Sequence, residues 1–129
     1  MVPDELIRQK TEDIFPEVVQ HYRWLHQHPE LSYGEKETAA YIAGFLRREG
    51  ISFKEGIGGE GILATIKGEM EGDGKCMAFV ADMDALPVQE QNDVPYKSVY
   101  HGVMHACGHD AQAASLMGAV KMVSSLRNR

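Results

Sequence analysis

Met77-Ala-Phe-Val-Ala81 is a near-continuous apolar run of strand length, set between the polar stretch 68–74 and the acidic tract Asp82-Met-Asp84. Such a run fits a strand buried on both faces, which demands a sheet covered on each side. Segments with helical spacing lie before and after it, so the chain reads as α/β, with helices packed on a β-sheet. Asp82 and Asp84 then fall at the C-terminal end of that strand, where open α/β sheets place their ligands.

The flanking segments supply the helices. Residues 4–28 carry apolar side chains at Ile7, Ile14, Phe15, Val18, Tyr22 and Leu25, with Pro16 predicting a kink or a junction of two helices. Ser32-Tyr-Gly-Glu35 has capping-box spacing. Ala39, Ile42, Ala43 and Leu46 follow at i, i+3, i+4 and i+7, one face of a helix that Gly50 ends in the left-handed conformation. Short strands are expected over 51–54 and 62–67, joined through the turn marked by Gly56, Gly58, Gly59 and Gly61. The polar loop 68–74 would lead by a second hairpin into the 77–81 strand. Residues 87–108 lack periodicity, and a stretch of that length without a strong element is more often functional than idle. Helical spacing resumes at Ala113, Leu116, Met117, Val120 and Val123.

At 129 residues the chain is one domain at most, and 43% hydrophobic with 25% charged residues is ordinary for a globular protein. The net charge of −6, with scattered Lys and Arg, provides no basic stripe for nucleic acid. No apolar run approaches membrane-spanning length, and Met-Val-Pro-Asp-Glu is not the start of a signal peptide, so neither a membrane nor export is expected and the cytoplasm is the default. Two cysteines make no disulfide framework. Cys76 reads as a small buried hydrophobe at the start of the apolar run.

Chemistry concentrates in Gly102-Val-Met-His-Ala-Cys-Gly-His-Asp110. Cys107 and His109, two apart across a flexible glycine, offer the sulfur and nitrogen donors that zinc and its neighbours prefer, and a thiolate gains from the helix start that follows. Asp110 fits an N-cap as well as a catalytic role. Asp82 and Asp84 would point to one face of their strand, so that one could approach a cation while the other orients a ligand imidazole; a solvated strand end is the plain alternative. His105 is expected to make a loop hydrogen bond rather than to ligate, and His26, His28 and His101 to lie at the surface or behind the site. There is no nucleophile elbow, phosphate loop or Cys-x-x-Cys pair.

Four tracts in order, Leu25-His-Gln-His-Pro-Glu-Leu31, Ala81-Asp-Met-Asp-Ala-Leu-Pro-Val-Gln-Glu90, Pro95-Tyr-Lys-Ser98 and Met104-His-Ala-Cys-Gly-His-Asp110, resemble the amidohydrolase branch of the aminoacylase/carboxypeptidase metallohydrolases. That resemblance implies that 1–129 is the N-terminal part of an incomplete three-layer metallopeptidase-type catalytic domain, without the dimerisation domain. It makes Cys107 and His109 metal ligands and gives Asp84 the catalytic task of orienting a ligand. Asp82 stands where related peptidases often carry a ligating His, Val80 where the family usually has Arg, and Gln112 where it usually has His. The cofactor implied is a divalent metal, zinc or manganese with nickel or cobalt also suitable, and two ions in a full-length enzyme. The reaction implied is hydrolysis of the amide bond in small-molecule N-acyl amino acids.

The family's Glu-Glu pair, which supplies the general base and a ligand, and its later ligand histidines match nothing in this chain. The chain alone is therefore expected to be inactive and, with an uncovered strand edge, to self-associate. A non-catalytic metal-binding or partner-binding module is the competing reading. A redox protein using Cys76 and Cys107 is a third, requiring the two sulfurs within disulfide reach.

Overall fold

The computed structural model describes residues 2–72 and 74–129. Helix α1 spans Asp4–Gln27, α2 Lys36–Arg48 and α3 His109–Leu126; strands β1 Ser52–Ile57 and β2 Gly61–Thr65 lie between α2 and α3. The α/β expectation holds, with a sheet that is small and antiparallel: β1 and β2 form a two-stranded hairpin.

α1 is a single helix that runs through Pro16, where a kink or a junction was expected. Proline removes one backbone donor and crowds the preceding turn, but α1 packs along α3, and that burial outweighs the local loss. The approach is close at Gly118, where an added Cβ would come within 2.5 Å of Val18 Cγ2.

α2 begins and ends where its spacing predicts, but its cap differs from the expected box. The Ser32 hydroxyl donates to Asp84 instead. Glu30 does the capping: its carboxylate accepts from Glu37 N at 3.1 Å, Thr38 N at 2.8 Å and Thr38 Oγ1 at 2.8 Å. An anion at a helix N-terminus satisfies orphan N–H groups and meets the positive end of the dipole. Glu30→Ala should therefore lower stability by about 1–2 kcal/mol, read as a shift in urea midpoint; an unchanged midpoint would remove Glu30 from this role. At the other end Gly50, at φ 67, lets Ile51 N reach Leu46 O and Gly50 N reach Arg47 O, a Schellman stop.

The core is built where the three helices and the hairpin meet. Leu25, Phe45, Leu46, Ile51, Ala113, Ala114 and Met117 are buried together, with Val18, Tyr22, Ile42, Phe53 and Val120 packed around them. α2 lies on both strands of the hairpin. Phe53 pairs with Ala64, and Ile62, Ala64 and Ile66 take the half-buried positions while Leu63 is exposed, the alternation of a sheet covered on one face. Phe15, on the expected apolar face of α1, is exposed instead.

The 77–81 run does not form the expected strand. It lies outside any strand, with Met77 77%, Phe79 65% and Val80 88% exposed. Pairing is a non-local property: the run needs a neighbouring strand, and neither outer edge of the β1–β2 hairpin pairs with it. The second hairpin expected through 68–74 fails with it, and Asp73 in that loop lies outside the described residues. Cys76, expected to be buried, is exposed for the same reason.

Downstream of the run the chain is stitched by isolated bridges. Ala85 N donates to Glu30 O at 2.7 Å, and Leu86 and Met104 exchange backbone hydrogen bonds at 3.0 Å each. Asp84 is thereby fixed beside the end of α1 and opposite the segment leading into α3.

Candidate metal centre

Gly108, at φ 85, turns the chain into α3, and His109 is the first residue of that helix. Its ring lies against Asp84: Nδ1 is 2.9 Å from Asp84 Oδ1 and 3.0 Å from Asp84 O. Both are acceptors, so Nδ1 carries the proton and donates. In the neutral ring that leaves the lone pair on Nε2, the form that binds metal. Nε2 faces Asp82, with Oδ2 3.9 Å away. The Ser32 hydroxyl, together with His109, holds the Asp84 carboxyl below its usual value against partial burial. Asp84 is therefore an ionised orienting group.

A cleft of about 350 Å³ opens beside this pair, lined by Ser32, Tyr33, Ile57, Asp82 and Asp84 among others. Its charged side chains, Glu35, Glu60, Asp82 and Asp84, are all acidic, so its field favours cations. Cys107 is an exposed free thiol two residues before His109. The structure thus brings Asp82, Asp84 and His109 together at a cleft that Ile57 of β1 and Gly61 of β2 also line, with Cys107 two residues before His109 in the chain. Among the described residues no group of three or more His, Cys, Asp or Glu side chains is placed to hold an ion. The donors fit a divalent metal in chemistry, but they fill only part of a coordination sphere. Cys76 and Cys107 form no disulfide.

Two other expectations are corrected. His105 makes no loop hydrogen bond: it is 5% exposed, and both ring nitrogens lack a partner among the described residues. Burial pushes its pKa down. Asp110 is not the N-cap of α3, since the helix starts at His109 and the carboxylate is buried against another side chain. That side chain is His26, which takes the second of its two expected placements, behind the site, and is 6% exposed. Its Nδ1 is 2.6 Å from Asp110 Oδ2 and its Nε2 is 3.0 Å from Glu90 Oε1. The sequence holds a signal for it: Ile14, Val18, Tyr22 and His26 form one i+4 row, which continues the buried stripe of α1.

The arrangement has close counterparts. Over 90% of its length the chain superposes with TM-score 0.83 and 39% identity on 32% of a *Bacillus subtilis* protein, YXEP, described as a dinuclear metal binding peptidase from M20 family. The fold is that of M20 peptidases. Residues 78–129 match the model of Peptidase family M20/M25/M40. Thermostable carboxypeptidase 2 of *Saccharolobus solfataricus* is 41% identical over 92% of this chain and 30% of its own length. N-acetyl-L-cysteine deacetylase of *Bacillus subtilis* is 47% identical over 75% of this chain and 23% of its own length. The chain thus spans about a third or less of the proteins it matches.

Proposed function

We propose that these residues form part of a metal-dependent hydrolase of amide bonds in N-acyl amino acids or similar conjugates. The observation that carries this reading is the His109–Asp84 pair, which in the neutral ring makes Nε2 the free nitrogen, beside an acidic cleft. Carboxypeptidase and deacetylase relatives, both named for cleaving amide-type bonds, support it. Cys107 and His109 would hold a divalent ion, zinc or manganese in the first instance, and Asp84 would fix the His109 ring. The chemistry such ions supply when bound is acidification of water and polarisation of the scissile carbonyl.

The chain's own residues position rather than transfer protons. Asp84 keeps His109 in one tautomer, and Ser32 keeps Asp84 ionised. Glu90 and Asp110 are both committed to His26, so neither is available as a general base. A positioned base contributes about 10²–10⁴-fold, and turnover therefore requires residues beyond these. The purified chain, given zinc or manganese and acetyl- or benzoyl-amino acids, should show no hydrolysis. Turnover that Cys107→Ser abolishes would mean that a base lies within residues 1–129.

Metal binding is the direct test of the site. Cys107→Ser should abolish weak binding of zinc by the purified chain, Asp84→Asn should weaken it about 10–100-fold, and Cys76→Ser should leave it unchanged. Affinity should rise with pH as the thiol is deprotonated. Equal loss in both cysteine variants, or in neither, would overturn the ligand assignment. The exposed Met77, Phe79 and Val80 also favour self-association through an unpaired extended segment; a clean monomer by light scattering would count against it. A non-catalytic module is the reading favoured by the lack of a three-donor group among the described residues. No helix among them is long and apolar enough to cross a membrane.

A further inference from the structure

His26 is nearly sealed from solvent between two carboxylates, with Asp110 2% and Glu90 7% exposed. The Glu90 carboxylate accepts from Asn92 Nδ2 at 3.2 Å on Oε1 and from Ser98 N at 2.6 Å on Oε2, and His26 Nε2 lies 3.0 Å from Oε1. With an unambiguous donor on each of its oxygens Glu90 is ionised, so the His26 Nε2 beside it carries a proton and donates. Nδ1 lies 2.6 Å from Asp110, a charge-assisted distance. Both ring nitrogens donate, and the ring is an imidazolium. Tyr22 and Tyr96 enclose it, at ring separations of 5.6 and 5.7 Å, and the Arg23 guanidinium lies 5.3 Å from the Tyr96 ring.

These bonds join three segments that are distant in sequence. His26 is at the end of α1, Glu90 in the irregular 87–108 stretch, and Asp110 in the first turn of α3, next to His109. The His109 ring meets Asp84, whose neighbour Ala85 is bonded to Glu30 just beyond α1. A closed circuit results, in which His109 is held through its ring by Asp84 and through its backbone by Asp110. We infer that His26 is a positioning residue for the Cys107–His109 turn, a buried cation whose two hydrogen bonds fix where His109 presents Nε2. The importance of this for a metal rests on the proposed function; the positioning itself does not.

The test begins with the unaltered chain. Long-range proton–nitrogen NMR at neutral pH should show both His26 ring nitrogens protonated. A singly protonated His26 ring would overturn the inference. In His26→Gln and Glu90→Gln, the Nδ1–H signal of His109 that reports its bond to Asp84 should broaden or vanish. Cobalt(II) affinity, followed by the thiolate absorption band, should fall about tenfold. Variants that melt earlier but keep the His109 signal and the cobalt affinity well below their melting temperature would reduce His26 to a stabilising residue and defeat the proposal. If His26→Gln does not fold, the Glu90→Gln variant and the unaltered spectrum decide. Should the unaltered chain bind no cobalt at all, the proposed function fails, and the His26 and His109 signals still decide the positioning.

Discussion

Phe45→Ala should lower the unfolding free energy by about 3–5 kcal/mol, among the largest effects any single substitution in this chain will have. Phe45 is 1% exposed and sits in the cluster with Leu25 and Met117. Its ring meets His21 edge-on, with centroids 5.1 Å apart at 77°, an arrangement that adds to simple area burial. Removing it takes away the apolar transfer term and leaves a cavity between α2 and the helices behind it. Relaxation is restricted because α2 is held at its start by Glu30 and at its end by Gly50. Urea unfolding followed by circular dichroism measures the loss. Phe15→Ala is the control: Phe15 is 61% exposed, and its replacement should change stability by no more than about 0.5 kcal/mol. Similar losses in the two variants would mean that the core is not centred where the structure puts it.

Asp110→Ala should cost about 3–5 kcal/mol for a different reason, since it leaves a buried imidazolium without one of its two partners. The effect should depend on pH with a definite sign. Burial pushes the His26 pKa down, but its hydrogen bonds to Glu90 and Asp110 outweigh it and the net shift is upward from 6.5. A raised histidine pKa contributes stability that is complete below the unfolded value and is lost as pH rises through the folded one. The groups that face this ring are Asp110, Glu90, Tyr22, Tyr96 and His105, and the two carboxylates set the sign. The gap in stability between the unaltered chain and Asp110→Ala should therefore be widest in mildly acidic buffer and narrow on the alkaline side. A gap that widens with pH would show that His26 is buried neutral.

What could be read from the chain follows the range of the interactions involved. α2 and its Gly50 stop were legible because periodicity and a left-handed glycine act within a few residues. The β1–β2 turn was legible in the same way, from glycines that admit positive φ. The strand over 77–81 was not, because an apolar run specifies only that it wants pairing and cover, and neither comes from its own residues. Ser32 and Glu35 had capping spacing, yet the hydroxyl went to Asp84, 52 positions away, and Glu30 capped in its place. The His109–Asp84 contact was anticipated from the family resemblance, whereas spacing alone left a solvated strand end equally open. The His26 cluster was missed because its partners, Glu90 and Asp110, lie 64 and 84 residues off. Only the i+4 row on α1 hinted that this histidine points inward.

The pairing of α1 with α3 also sets a timetable. α1 ends at Gln27 and α3 at Leu126, so a ribosome adding ~5–20 residues per second needs about 5–20 s to make the intervening chain. Throughout that interval the row containing Val18, Tyr22 and His26 has no α3 to rest on, and Gly118, the residue shaped to receive Val18, does not yet exist. The nascent helix must wait as an amphipathic surface in the exit region, attractive to chaperones that hold exposed apolar stripes. Its packing consequently waits until α3 has emerged.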